Sequence, residues 1–337
     1  MTVVFFNVLA GMEFTAPAAP AEANKYLPSE INSFGDGVWH VVKSIFYELN
    51  PSVKEAAGIC VCLIAIVLVI SIFQSFAGLS KEFVRLSGTV VVALTLIKPS
   101  NTLIHLGVST IEQISTYGKL LIPVMTASLA AQGGVSTSGA LYAGTAIFNT
   151  VLSATIVSLF IPVLYIYLVI SIANSAIGNE MLKQIQKFIK WLMTWLLKLA
   201  TLIFTGYISI TGVVSGAVDT SALKAAKIAI SGAVPVVGGL MSDASEAILV
   251  SAGLMKNAAG VFGLLTILSL WLAPFLKIAV HYLLLKITAA FCSAFGHKET
   301  CGLIQDFAGV MGLTLAATGV MCLLFLISTV CFMRGML

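Results

Sequence analysis

The chain has 337 residues, of which 59% are hydrophobic and 9% charged, against roughly 25% charged in an ordinary soluble domain. With a mean hydropathy of +1.04 it needs a bilayer, which it can cross only as helices or a closed barrel. A net charge of +4 excludes nucleic-acid binding by bulk electrostatics, and the composition excludes a disordered chain, a disulfide scaffold and a free cytosolic enzyme.

In chain order, residues 2–12 (TVVFFNVLAGM) are apolar but too short to span, and residues 15–23 read TAPAAPAEA. That pattern resembles a secretory signal with its cleavage zone, without the basic start, so 1–23 is read as a signal-like segment. Residues 24–56 form an extracytoplasmic amphipathic segment. There Val38, Val42, Ile45 and Leu49 make a helical stripe with Trp39 and Phe46 beside it, and His40, Lys43 and Tyr47 lie opposite. Such a helix lies in the membrane interface, with Trp39 as a surface anchor.

The region 57–337 is a multi-span membrane domain. Its clearest span is 57–78, uncharged over 22 residues, and a second covers about 86–107, interrupted by Lys98-Pro99. The others cover about 140–174 (with Pro162 inside), 183–217, 259–290 (with Pro274 inside) and 303–333. The expectation is an all-α polytopic membrane protein of about six spans. The stretches 108–139 and 218–258 are moderately apolar, rich in Gly and Ser, and carry a few charges. They are expected to be poor extra helices or re-entrant stretches, tolerated only against protein or water.

The loops 79–85, 179–190 and 291–302 hold six Lys and Arg in 31 residues, while the segments 24–56, 108–139 and 218–258 hold seven in 106. The denser basic loops belong in the cytoplasm, with the N-terminus outside. Pro123-Val124 and Pro235-Val236 lie 112 residues apart, as do Pro162 and Pro274. These offsets suggest a tandem repeat over 86–178 and 198–290.

Signs of enzyme chemistry are poor. G-x-S-x-G, H-E-x-x-H and Walker motifs are absent, and the four histidines are scattered. The six cysteines include no C-x-x-C pair and read as small buried hydrophobes. No cofactor or metal is implied.

Lys277 and His281, at i and i+4 after Pro274, stand out within a span. Two readings stay open. Either they line a path or gate, with Pro162 and Pro274 as its kinks, or Lys277 snorkels and a neutral His281 bonds a neighbouring helix. Lys183, Lys187 and Lys190 share one helical face and read as a headgroup anchor, with partner docking as the second choice. Asp219, Lys224, Lys227, Asp243, Glu246 and Lys256 surround the turn at Pro235 and Gly238. They pair within a re-entrant hairpin or contact a partner.

In this region Gly216-x-x-Asp219, Lys224-Ala-Ala-Lys227, Pro235-Val-Val-Gly238, Ser242-Asp243-Ala244, Lys256-Asn257, Gly260 and Pro274-x-x-Lys277 occur in order. The run closely resembles the stage III sporulation protein AE family of endospore-forming bacteria. The resemblance implies a polytopic subunit of the mother-cell membrane around the forespore, without enzymatic activity. It also implies partners: the other stage III A sporulation proteins and stage II sporulation protein Q, together a channel or feeding-tube complex. In that setting the chain would be a permease-like or export-gate-like core, and homo-oligomers are compatible with it. Two alternatives remain: a stand-alone secondary transporter of a small solute, and a structural scaffold for ring assembly.

Overall fold

The computed structural model describes residues 16–28, 33–76, 81–131, 135–210, 258–294 and 298–334. The stretch 218–258 lies almost wholly outside the described residues, as do the middle of the second expected repeat (211–257) and residues 1–15.

Every described element is a helix. A short turn, α1 (Ala21–Asn24), and α2 (Phe34–Glu48) precede α3 (Asn50–Phe76) and α4 (Lys81–Ala131). Next, α5 (Val135–Thr155) runs through a π-helical turn (Ile156–Phe160) into α6 (Ile161–Ile177), followed by α7 (Glu180–Ile210). The bundle closes with α8 (Ala258–Ser293) and α9 (Lys298–Arg334). Six stretches are long and apolar enough to cross a membrane, α5 and α6 counting as one. The chain is a multi-pass helical membrane protein.

Local chemistry sets the boundaries. Ser33 accepts from the Asp36 N–H (3.2 Å) and donates to its carboxylate (2.9 Å), a capping arrangement that starts α2. Gly178, at φ +72°, ends α6, a left-handed conformation for which glycine carries no Cβ penalty. Pro162 stands at the start of α6, directly after the π-helical turn. Its missing N–H cannot close an ordinary turn there, and a wider turn absorbs the mismatch.

Helix α4 corrects the expected layout. Residues 108–131 are neither a separate poor helix nor a re-entrant dip. They continue the second span through Pro99 and Pro123 as one 51-residue helix, about 76 Å long at 1.5 Å per residue. The hydrophobic face runs unbroken through both prolines, with Leu96, Leu103, Ile111, Ile114, Leu121 and Met125 all buried, so packing carries the helix past each lost hydrogen bond.

Contacts fix how the others stand along it. Parallel to α4, α9 sets Thr314 against Gly107 and Phe325 against Gly118, where no Cβ fits. The antiparallel α8 sets Ile278 near Gly107 and Gly263 against Leu121. The antiparallel α5–α6 column meets α4 at Asn149–Ser115, Tyr165–Asn101 and Ser175–Thr89. Helix α3 accompanies only the first part of α4, Ile70 lying at Gly88 and Ala56 near Pro99 and Leu103. Beyond it α2 takes over and presses Gly37 onto Leu265.

The centre is α9, whose spanning stretch is 94% buried, whereas α3 and α7 are 22% and 17% buried. On α2 the buried stripe is Phe34, Gly37, Val41 and Ile45, rotated from the expected one. Trp39 (68%) and Tyr47 (76%) remain exposed on its opposite side. The expected cleavage zone packs on the bundle: Ala23 is fully buried. Tyr26 donates to Glu48 (2.8 Å), and Lys25 pairs with the same carboxylate (2.6 Å).

Candidate functional site

Lys277 and His281 lie on α8, one and two turns past Pro274. His281 is buried at 5% exposure, and its Nδ1 shares a hydrogen bond with the Lys277 backbone carbonyl at 2.9 Å. It faces a void of about 10 Å³ shared with Leu96, Pro99, Ser100 and Leu103, room for about one water molecule. Lys277 does not line that void, and its charge is felt at Glu48. The two ionisable groups therefore do not converge on one opening. Pro274 adjoins Ala273, which packs under Tyr26, Val41 and Ile45, and Pro162 follows the π-helical turn. Asp219, Lys224, Lys227, Pro235, Gly238, Asp243, Glu246 and Lys256 lie outside the described residues.

The anchor lysines divide. Lys183 and Lys187 are exposed, and Lys183 pairs with Glu180 at 2.8 Å. Lys190 turns inward, placing its ammonium 3.5 Å from where a Cβ on Gly309 would stand, beside the Tyr167 hydroxyl.

That inward turn reaches a polar network joining α6, α7 and α9. Tyr167 donates to Asp306 Oδ1 (3.1 Å). Gln186 Nε2 donates to Ser171 Oγ (2.9 Å) and lies 3.4 Å from the Tyr167 hydroxyl. Asn174 Nδ2 reaches Gln186 Oε1 at 3.4 Å. Tyr167, Ser171 and Gln186 are buried, and Lys190 and Lys286 supply positive potential at Asp306. A carboxylate within a span is costly unless it is paired and hydrogen-bonded. Here the Tyr167 hydroxyl donates to it, with Gln186 and the Lys190 ammonium beside that hydroxyl, groups able to hold or pass a proton. Sequence reasoning missed this site because its members sit on three helices and only Asp306 stands out in a hydropathy profile. The signal available was an acid at the fourth position of an otherwise uncharged span, 303–333.

A groove of about 330 Å³ opens between the α5/π-turn column and α7, lined by Ile147, Val151, Phe160, Leu197, Ala200 and Ile203 among others. Thr155 is its one polar lining residue, so the groove suits hydrocarbon rather than a polar solute. Among the described residues no His, Cys, Asp and Glu cluster could hold a metal ion.

A family model described as stage III sporulation protein AE matches residues 29–335. A curated protein named Stage III sporulation protein AE, from Bacillus subtilis (strain 168), is 22% identical over 226 residues. The match covers 67% of this chain and 56% of that relative, so the chain spans little more than half of the relative's length. No solved structure matches.

Proposed function

Because this chain belongs to the stage III sporulation protein AE family, we propose that it is a non-enzymatic integral membrane subunit of a channel complex joining mother cell and forespore. It acts in the mother-cell membrane with its N-terminal segment outside, alongside other stage III A sporulation proteins and stage II sporulation protein Q. Its role there is that of a permease-like or export-gate-like core. The observation that carries this reading is a family match from residue 29 to 335 on a chain with six membrane-spanning stretches. The Asp306 network and the proline-interrupted helices provide the polar and bendable parts such a core needs. Deleting the gene should leave engulfment intact and collapse the forespore afterwards. Normal spore yield from the deletion strain would refute the role.

A second reading draws on the Asp306–Tyr167–Lys190 cluster: a secondary transporter that couples a proton to a small solute and needs no partners. Solute uptake by the purified chain in liposomes, abolished by Asp306→Asn, would favour it. Co-purification with other sporulation subunits and no uptake would favour the complex.

A further inference from the structure

Among the described residues, one ring nitrogen of His281 has no partner, although the residue is only 5% exposed. Nδ1 lies 2.9 Å from the Lys277 backbone carbonyl. A carbonyl only accepts, so Nδ1 carries a hydrogen. Nε2 is then an acceptor on the neutral ring and a donor on the charged one, and either form needs a partner when buried.

The void beside His281 holds a second group of this kind. Ser100 of α4 lines it, is 2% exposed, and has no hydrogen bond from its hydroxyl among the described residues. Other hydroxyls of α4 turn back onto the carbonyl four residues earlier, as those of Thr95, Thr102, Thr110 and Thr126 do. Ser100 does not. Its neighbour Pro99 has no N–H, so the Thr95 carbonyl one turn earlier loses its helical donor. Polar groups therefore gather at the one place where α4 is interrupted opposite α8. Ala56 and Ile59 of α3 close the void with aliphatic surface.

We infer that this void, about 10 Å³ in volume, is the binding site of a single resident water molecule that joins α8 to α4 at the Pro99 break. The volume admits about one water, and a buried water needs roughly two to four polar partners. It donates to Nε2 of the neutral ring and accepts from the Ser100 hydroxyl, and its second hydrogen remains for the Thr95 carbonyl. An organic solute does not fit, and one hydroxyl beside one imidazole is too few ligands for a metal ion. Of the two readings of His281, a path or a bond to a neighbouring helix, this site takes the second, with the bond made through solvent. It lies beyond the membrane-subunit reading, which spore yield tests separately.

Nitrogen-15 NMR of the histidine-labelled full chain in lipid nanodiscs tests the site, with His281→Gln assigning the signal by its loss. The expected result is a hydrogen on Nδ1, a hydrogen-bonded Nε2, and a through-space contact from Nε2 to a long-lived water. Ala56→Val, which fills the void, should abolish that contact while the His40 and His105 signals stay in place. Should that variant not fold, Ser100→Ala replaces it and should shorten the water's residence about tenfold, the weight of one lost hydrogen bond. An Nε2 with neither water contact nor hydrogen bond would mean a dry void. A contact to the Ser100 hydroxyl alone would mean a direct bond, and water exchanging rapidly with bulk would mean an open crevice. A water contact that survives Ala56→Val would place the water elsewhere. Each of these four outcomes overturns the site.

Discussion

At the residue scale, the Asp306 network makes the sharpest demand. Tyr167→Phe removes the donor to Asp306 and the hydroxyl beside Gln186, leaving polar groups buried without partners. A loss of about 1–3 kcal/mol in stability follows, read as a lower unfolding midpoint of the detergent-solubilised protein. Asp306→Asn keeps an acceptor for Tyr167 and should cost less than Asp306→Leu. The second residue-scale prediction concerns pH. The Lys25 ammonium, then the Tyr26 hydroxyl, hold Glu48 below the ordinary carboxylate range. Burial, then the hydrogen bond to Glu48, pushes Tyr26 up to about 12. For the depressed acid, the stabilisation is present above its unfolded pKa and lost as pH falls through the folded value. For the raised phenol, it is complete below the unfolded pKa near 10 and lost as pH rises towards 12. Limited proteolysis of residues 16–28 should therefore speed up at both ends, and Glu48→Gln should abolish the acidic limb.

At the scale of elements, the helix starts and ends were largely legible, while the continuity of α4 was not. Lys98-Pro99 and the Gly- and Ser-bearing stretch after it look like punctuation when hydropathy is averaged over all faces. The polar side chains of 98–119 nevertheless fall on one arc, while Ile104, Ile111, Ile114 and Leu121 keep the opposite face buried. A helical projection of that stretch would have found both the helix and its stripe. The Asp306 site was out of reach for another reason: its partners Tyr167 and Gln186 are ordinary residues whose meeting depends on how α6 and α7 pack on α9. Gly118 tests the packing of α4 on α9. A Cβ there would collide with the ring of Phe325, whereas one at Gly58 meets nothing within 4 Å. Gly118→Leu should lower the unfolding midpoint by the equivalent of at least about 1–3 kcal/mol, and Gly58→Leu should leave it nearly unchanged.

At the scale of the whole molecule, α9 lies inside a sleeve formed by α4, α5, α6, α7 and α8, with Phe307, Met311, Met321, Phe325 and Phe332 almost entirely enclosed. In chain order it is the last described helix, so the ribosome delivers the axle after the wheel. The earlier spans must enter the bilayer around a vacancy, their inward faces wet, lipid-filled or held by an insertion factor until residue 298 onward arrives. A stop codon at Lys298 should yield a chain that is inserted and then destroyed by membrane proteases, visible in a pulse-chase as normal synthesis followed by rapid decay. Supplying residues 298–337 as a separate polypeptide should lengthen its lifetime, because the slot is shaped before its occupant exists.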